Sequence, residues 1–217
     1  MSATPANNTA LPTARARRAL ADLAGRPLNF DLARLPEMLR RGGWHQDDLR
    51  QPLARELPGE PVPDGPWEQA RRVMIDYQAA DPAMVRATYD PDTPLAGRDM
   101  LLELRFLFLR LRAGVRVGDV YEDERSEQGR SARIFGWNYR TLAGHFEQGE
   151  MAYEVWKWRD TGEVEFHIHA VSKVADSGNP FVRLGFRLIG RRQQLRFYRN
   201  ACTRMAELVD ARMRGEA

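Results

Sequence analysis

Residues 151–172, MAYEVWKWRDTGEVEFHIHAVS, hold two runs rich in β-branched and aromatic residues, 151–160 and 163–172. Such residues favour extended chain. The tight Asp160-Thr161-Gly162 link between them gives a hairpin, with Gly162 free to take positive φ. In the second run Val164, Phe166, Ile168 and Ala170 share one face, and Glu165, His167 and His169 share the other. That alternation predicts an antiparallel sheet with one dry and one wet face.

The same composition extends upstream. VRVGDVYEDE (115–124) and ARIFGWNYRT (132–141) read as two more strands, with SEQGR as their turn. Downstream of Asn179-Pro180, Leu184, Leu188, Leu195, Tyr198, Cys202, Met205 and Val209 recur at spacings of three, four and seven. This is one apolar helical stripe, with Arg187, Arg191, Arg192, Arg196 and Arg199 on its other faces. A helix of roughly 30 residues is ~45 Å long and can cross the dry face of the sheet. Gly185 and Gly190 permit a bend at its start. The reading is therefore an α+β fold, a curved antiparallel sheet wrapped on a long C-terminal helix. This helix-grip arrangement leaves room for a cavity between its two layers, which favours a small hydrophobic or amphipathic ligand.

Nearer the N-terminus, residues 1–12 are small and polar and read as a disordered tail. Residues 13–65 read as a helical extension and Pro-rich linker, with helices at 14–24 and around 31–41 and 46–56. The main domain is expected over 66–217. PWEQARRVMIDYQ starts it, with Pro66 at a first helical position. Residues 84–90 alternate like a strand. MLLELRFLFLRLRA, 100–113, is apolar on nearly every side and reads as a buried helix capped by Asp99. A membrane-surface helix is the sharper alternative for that run, though it lacks a broad polar face.

Between the strands ending at 141 and starting at 151 lies TLAGHFEQGE, longer than a simple hairpin needs. With the preceding GWNYR it resembles the signature of the DUF1990 (UPF0548) family, a segment of the form YGTLxGHxExGE. Tyr139, Thr141, Leu142, Gly144, His145, Glu147, Gly149 and Glu150 carry the match. Ser172, Gln194 and Tyr198 resemble that family's later serine, glutamine and tyrosine, and Trp67, Ala70 and Arg71 fit its first helix. Arg140 and Phe146 depart from the family's usual glycine and proline, and residues 1–60 and 100–113 look like additions. The resemblance spans roughly 66–210. It implies similarity to the START/Bet v 1-like helix-grip superfamily and brings no established activity.

Several constellations carry chemistry. His145, with Glu147, Glu150 and Thr141 close in sequence, offers an acid/base group for an isomerase, cyclase or hydrolase. The preferred reading is a structured loop, with the histidine on a backbone carbonyl, the Glu150 carboxylate on backbone N–H groups, and Gly144 and Gly149 at positive φ. For ligand binding the candidates are Trp137, Tyr139, Trp156, Gln194 and Tyr198. Trp137, Tyr139, Tyr153, Trp156 and Trp158 form one aromatic patch across neighbouring strands, which suits cross-strand packing better than base stacking. His167 and His169 share a strand face and can ligate a metal, with Glu154 or Glu165 completing the set. Two solvent-facing histidines are the preferred reading, so no metal and no cofactor are expected.

The totals bound the partners. The net charge is +3 over 217 residues, and only Lys157 and Lys173 of 33 basic residues are lysine. That is a weak case for nucleic acid, and none is expected. No run approaches the ~18 apolar residues of a membrane span. Cys202 stands alone in an apolar helical stripe, so no internal disulfide forms. Together with a first segment unlike a signal peptide, this places the chain in the cytoplasm. A partner- or membrane-binding protein, using 100–113 or the Arg-rich helix and forming a homodimer, is the remaining class.

Overall fold

The computed structural model describes residues 13–106, 109–175 and 190–216. The disordered tail expected over 1–12 and the helical start expected over 180–189 lie outside them. Seven antiparallel strands form one sheet among the described residues, in the order β1-β7-β6-β5-β4-β3-β2. They are β1 (His45–Pro52), β2 (Val85–Thr88), β3 (Asp99–Phe106), β4 (Leu109–Glu127), β5 (Arg130–Thr141), β6 (Glu147–Trp158) and β7 (Val164–Val174). Four helices accompany them among the described residues: α1 (Ala14–Ala24), α2 (Leu35–Arg41), α3 (Pro66–Ile75) and α4 (Arg191–Met213). The expected α+β helix-grip arrangement is the one observed.

The hairpin of 151–172 is β6 and β7, with Gly162 at φ 72° in its turn. Val164, Phe166, Ile168 and Ala170 all enter the main core, where they meet Trp137, Tyr153 and Val155 from β5 and β6. On α4, Phe197, Tyr198, Ala201, Cys202, Met205 and Val209 fill the concave side of the sheet. The described helix has 23 residues and is roughly 35 Å long at 1.5 Å per residue. Trp67, Ala70, Val73 and Met74 of α3 pack into the same core.

Two expected helices are strands. Residues 100–113 belong to the β3–β4 hairpin, in which Glu103 lies opposite Arg112 and Asp99 opposite Arg116. Asp99 binds Arg116 at 2.7 Å rather than capping a helix, and Glu103 contacts both Arg105 and Arg112 at 3.3 Å. Met100 and Leu102 are buried, and the charged residues alternate with them. The apolar run hides this period of two because the chain reverses within it, which changes the phase of the alternation. The membrane-surface helix falls with this correction. Residues 46–56 hold β1, which pairs with β7 from His45↔Ser172 to Pro52↔Glu165. Its charged sequence suits an edge strand, which needs one sheltered face at most.

The Pro-rich segment after β1 is fastened by a buried ion pair. Glu56 Oε2 and Lys157 Nζ are 2.8 Å apart, and both side chains are fully enclosed. Glu56 also accepts the Val62 N–H at 2.9 Å and the Trp67 N–H at 2.6 Å. The latter is an otherwise unpaired donor in the first turn of α3.

Candidate functional site

The loop after β5 is built around Thr141. Its Oγ1 accepts the Gly149 N–H at 2.9 Å and lies 2.6 Å from Asn29 Oδ1. Asn29 comes from the segment between α1 and α2 and spans the loop. Its side-chain N–H₂ donates to the Glu147 carbonyl at 2.8 Å, and its own carbonyl accepts from Gln148 at 2.8 Å. The Leu28↔Leu142 bridge extends the same strap. Gly149 has φ 154°, and a Cβ there would lie 2.0 Å from the Val171 carbonyl oxygen of β7. Only glycine fits this crossing.

His145 is buried, and its Nδ1 accepts the Glu147 N–H at 2.9 Å. It therefore bonds a backbone N–H, where a carbonyl was expected. Burial pushes its pKa down to about 4, so the ring is neutral at pH 7. Its basic nitrogen is occupied, which leaves Nε2 as a hydrogen-bond donor. Glu150 is held by Arg140 at 2.6 Å, and Arg140 also contacts Asp119. Arg140, a departure from the family pattern, is thus the partner of a motif carboxylate. The expected bond from Glu150 to turn N–H groups is replaced by this ion pair.

Between the sheet and α4 lies a cavity of about 460 Å³. Met84, Val85, Leu102, Leu104, Leu111 and Phe197 supply apolar wall. Glu147, Gln148, Ser172, Gln194 and Tyr198 are among its polar lining residues, as is Arg105. Gln194 donates to the Ser172 hydroxyl at 2.9 Å, joining two residues 22 positions apart in the sequence. Burial pushes the Glu147 carboxyl up to about 7, against the opposing pull of the Arg191 charge. Burial, followed by the Glu147 charge, raises the Tyr198 hydroxyl above its ordinary value. Arg191 itself is clamped by Asp47 of β1 through two bonds of 2.6 and 2.5 Å.

Of the residues singled out in the sequence, Tyr139, Thr141, His145, Glu150, Gln194 and Tyr198 border this cavity. Trp137 lies deeper in the core, 5.2 Å from Tyr153 between ring centroids. Trp156 belongs to the opposite face of the sheet, in a separate cluster with Ala132, Ile134 and Trp158. The expected single aromatic patch is therefore two. Tyr153 and Trp156 are three apart on one strand, so they point to opposite faces. The sequence shows Glu147 only as a neighbour of His145, with no sign of the cavity. Its place at the mouth depends on the loop's path, which strand periodicity does not reach. Cys202 is buried, and burial pushes its thiol up to about 11, as an inert packing role requires.

The face expected to be wet is sheltered at His167, while His169 stays partly exposed. His167 is fully buried and stacks on Trp156, with ring centroids 5.0 Å apart. Glu154 is buried beside it and accepts Arg125 at 2.9 Å, Trp156 Nε1 at 2.7 Å and the Tyr121 hydroxyl. Arg125 lies over the rings of Tyr121 and Trp156, and Arg130 over Trp158. Long side chains from β4 and β5 thus roof the outer aromatics.

The domain of unknown function DUF1990 matches residues 33–204. The chain belongs to the DUF1990 family. The match begins upstream of β1, so it takes in the edge strand as well as the segment from residue 66. A search of curated proteins finds no match. Among solved structures, the chain is similar to a Thalictrum flavum norcoclaurine synthase point mutant in complex with a transition-state analogue. Identity is 9%, coverage 79% of this chain and 99% of the other, and the TM-score 0.45. For Ara h 8.0201 the values are 10%, 78%, 99% and 0.42. For Panax ginseng major latex-like protein 151 they are 10%, 70%, 96% and 0.34. No helix among the described residues is long and apolar enough to cross a membrane.

Proposed function

We propose that this DUF1990 protein binds a small amphipathic ligand between its sheet and α4. The observation that carries the reading is the cavity of about 460 Å³, lined mostly by apolar side chains with a few polar groups among them. Its size falls in the range of ordinary small-molecule sites, and a few convergent polar groups are what such sites use to orient a ligand. The apolar body of the ligand would lie against Leu102, Leu104 and Phe197. Its polar head would meet Glu147, Gln194 and Tyr198, which favours a hydrogen-bond-donating head such as an alcohol or amine. His145 supports this reading over acid/base catalysis. Its one basic nitrogen is spent on the loop, and Glu150 is committed to Arg140. A cytoplasmic carrier or sensor of such a compound is consistent with the single, buried cysteine.

Native mass spectrometry of freshly purified protein, followed by denaturing extraction, tests the reading. A co-purifying small molecule, or saturable binding of an apolar fluorescent probe that Leu104→Trp weakens at unchanged circular dichroism, is the expected result. A clean apo mass together with no saturable probe binding would overturn it.

A further inference from the structure

On the sheet face opposite the cavity, one donor atom from each of Glu154, His167 and His169 lies within 4.8 Å of the others. We propose that these three side chains form a binding site for a divalent transition-metal ion of the zinc class. Strand pairing assembles it. His167 and His169 are two apart on β7, and Glu154 is the register partner of His167 on β6.

Each imidazole is oriented from behind. His167 Nε2 is 3.0 Å from Glu165 Oε2, and His169 Nδ1 is 3.3 Å from Asp48 Oδ2. A carboxylate on the outer nitrogen fixes the tautomer and turns the other nitrogen into a ligand. The nitrogens left over are His167 Nδ1 and His169 Nε2. His167 Nδ1 is buried and has no hydrogen-bond partner, which a satisfied packing histidine would have. His169 Nε2 is 3.5 Å from Glu154 Oε2. A tetrahedral ion with bonds of about 2.1 Å needs its donors about 3.4 Å apart.

The charges allow a cation. Glu154, Glu165 and Asp48 face Arg125 and Arg50, and Arg50 is itself drawn towards Glu127 at 3.4 Å. Two imidazoles and one carboxylate select a zinc-class ion over magnesium or calcium, which prefer oxygen throughout. His169 is partly exposed and provides the route in, while His167 and Glu154 form the buried wall. Three protein ligands leave a fourth position for water.

Tag-free full-length protein, stripped with chelator, would be titrated with cobalt(II) and followed by its visible absorption, then displaced with zinc(II). The expected result is one ion per chain at micromolar concentration. His169→Ala should weaken binding by more than about 100-fold, and Asp48→Asn, which frees the ring from behind, by about 10–100-fold. His45→Ala, at the exposed start of β1, should change nothing. Circular dichroism confirms that each variant is folded, and His169→Gln substitutes if the alanine variant is not. Absence of cobalt bands in the parent, or binding that survives the folded His169 variant, would overturn the proposal.

Discussion

Asn29 and Thr141 are 112 positions apart, and their side-chain oxygens are 2.6 Å apart. The contact joins the N-terminal segment to the family signature. Thr141 also receives the Gly149 N–H, so one hydroxyl closes the loop and fastens its outer strap. Thr141→Val keeps the shape and removes the hydroxyl, leaving a buried N–H unpaired. The expected loss is about 1–3 kcal/mol. Urea denaturation measures it, and faster amide exchange confined to 141–149 and 27–29 would locate it.

Gly149 gives a sharper case. A methyl group at this position meets the Val171 carbonyl at 2.0 Å, and backbone cannot step aside as a side chain can. Gly149→Ala should destabilise the protein by several kcal/mol or prevent soluble expression. Gly144 is also at positive φ, but the nearest atom to its Cβ position is 3.4 Å away, at the tip of Arg26. Gly144→Ala should cost about 1 kcal/mol, from the backbone conformation alone. Equal melting temperatures for the two variants would refute this distinction.

The Glu56–Lys157 pair predicts a non-additive result. Removing one partner strands a buried charge, at a cost of about 3–5 kcal/mol. Glu56→Gln and Lys157→Met should each lower the denaturation midpoint strongly. The double variant should lose less than the sum, because no unpaired charge remains. Strict additivity in a double-mutant cycle would show that the pair does not act as a unit.

The strands 115–124, 132–141, 151–160 and 163–172 were legible because β-branched and aromatic residues are dense there, and in 163–172 they alternate against the core under α4. The α4 stripe was legible for the same reason at helical period. Two kinds of signal failed. In 100–113, leucines occupy both faces of two strands that pair antiparallel, so periodicity reads as an all-apolar helix. In 45–52 the strand is charged, and only its pairing with β7 makes it a strand. The site was legible as a motif but not as a surface. Thr141 and His145 stood out by type and spacing, and Gln194 through the family resemblance. The division of Trp156 from Tyr153 between opposite faces follows from strand parity, and it was obscured by treating the aromatics as one patch. His167 was assigned to a wet face because the roof over it comes from β4, which sequence spacing along β7 cannot show.

Glu147 makes the cavity sensitive to pH. Its carboxyl is raised by burial from the ordinary carboxylate range to about 7. The folded protein therefore holds a proton that the unfolded chain releases between about pH 4.5 and 7. In that window the native state binds more protons, so stability falls as pH rises and levels off above 7. Below about 4.5 both states are protonated and the difference vanishes. Glu147→Gln mimics the protonated form at every pH. It should raise the melting temperature at pH 8, leave it unchanged near pH 4.5, and flatten the slope between. The same substitution should weaken a bound amine, which needs the carboxylate, and leave a neutral alcohol nearly unaffected. Parallel melting curves for parent and variant across this range would mean that the Glu147 carboxylate is as well solvated in the folded protein as in the unfolded chain.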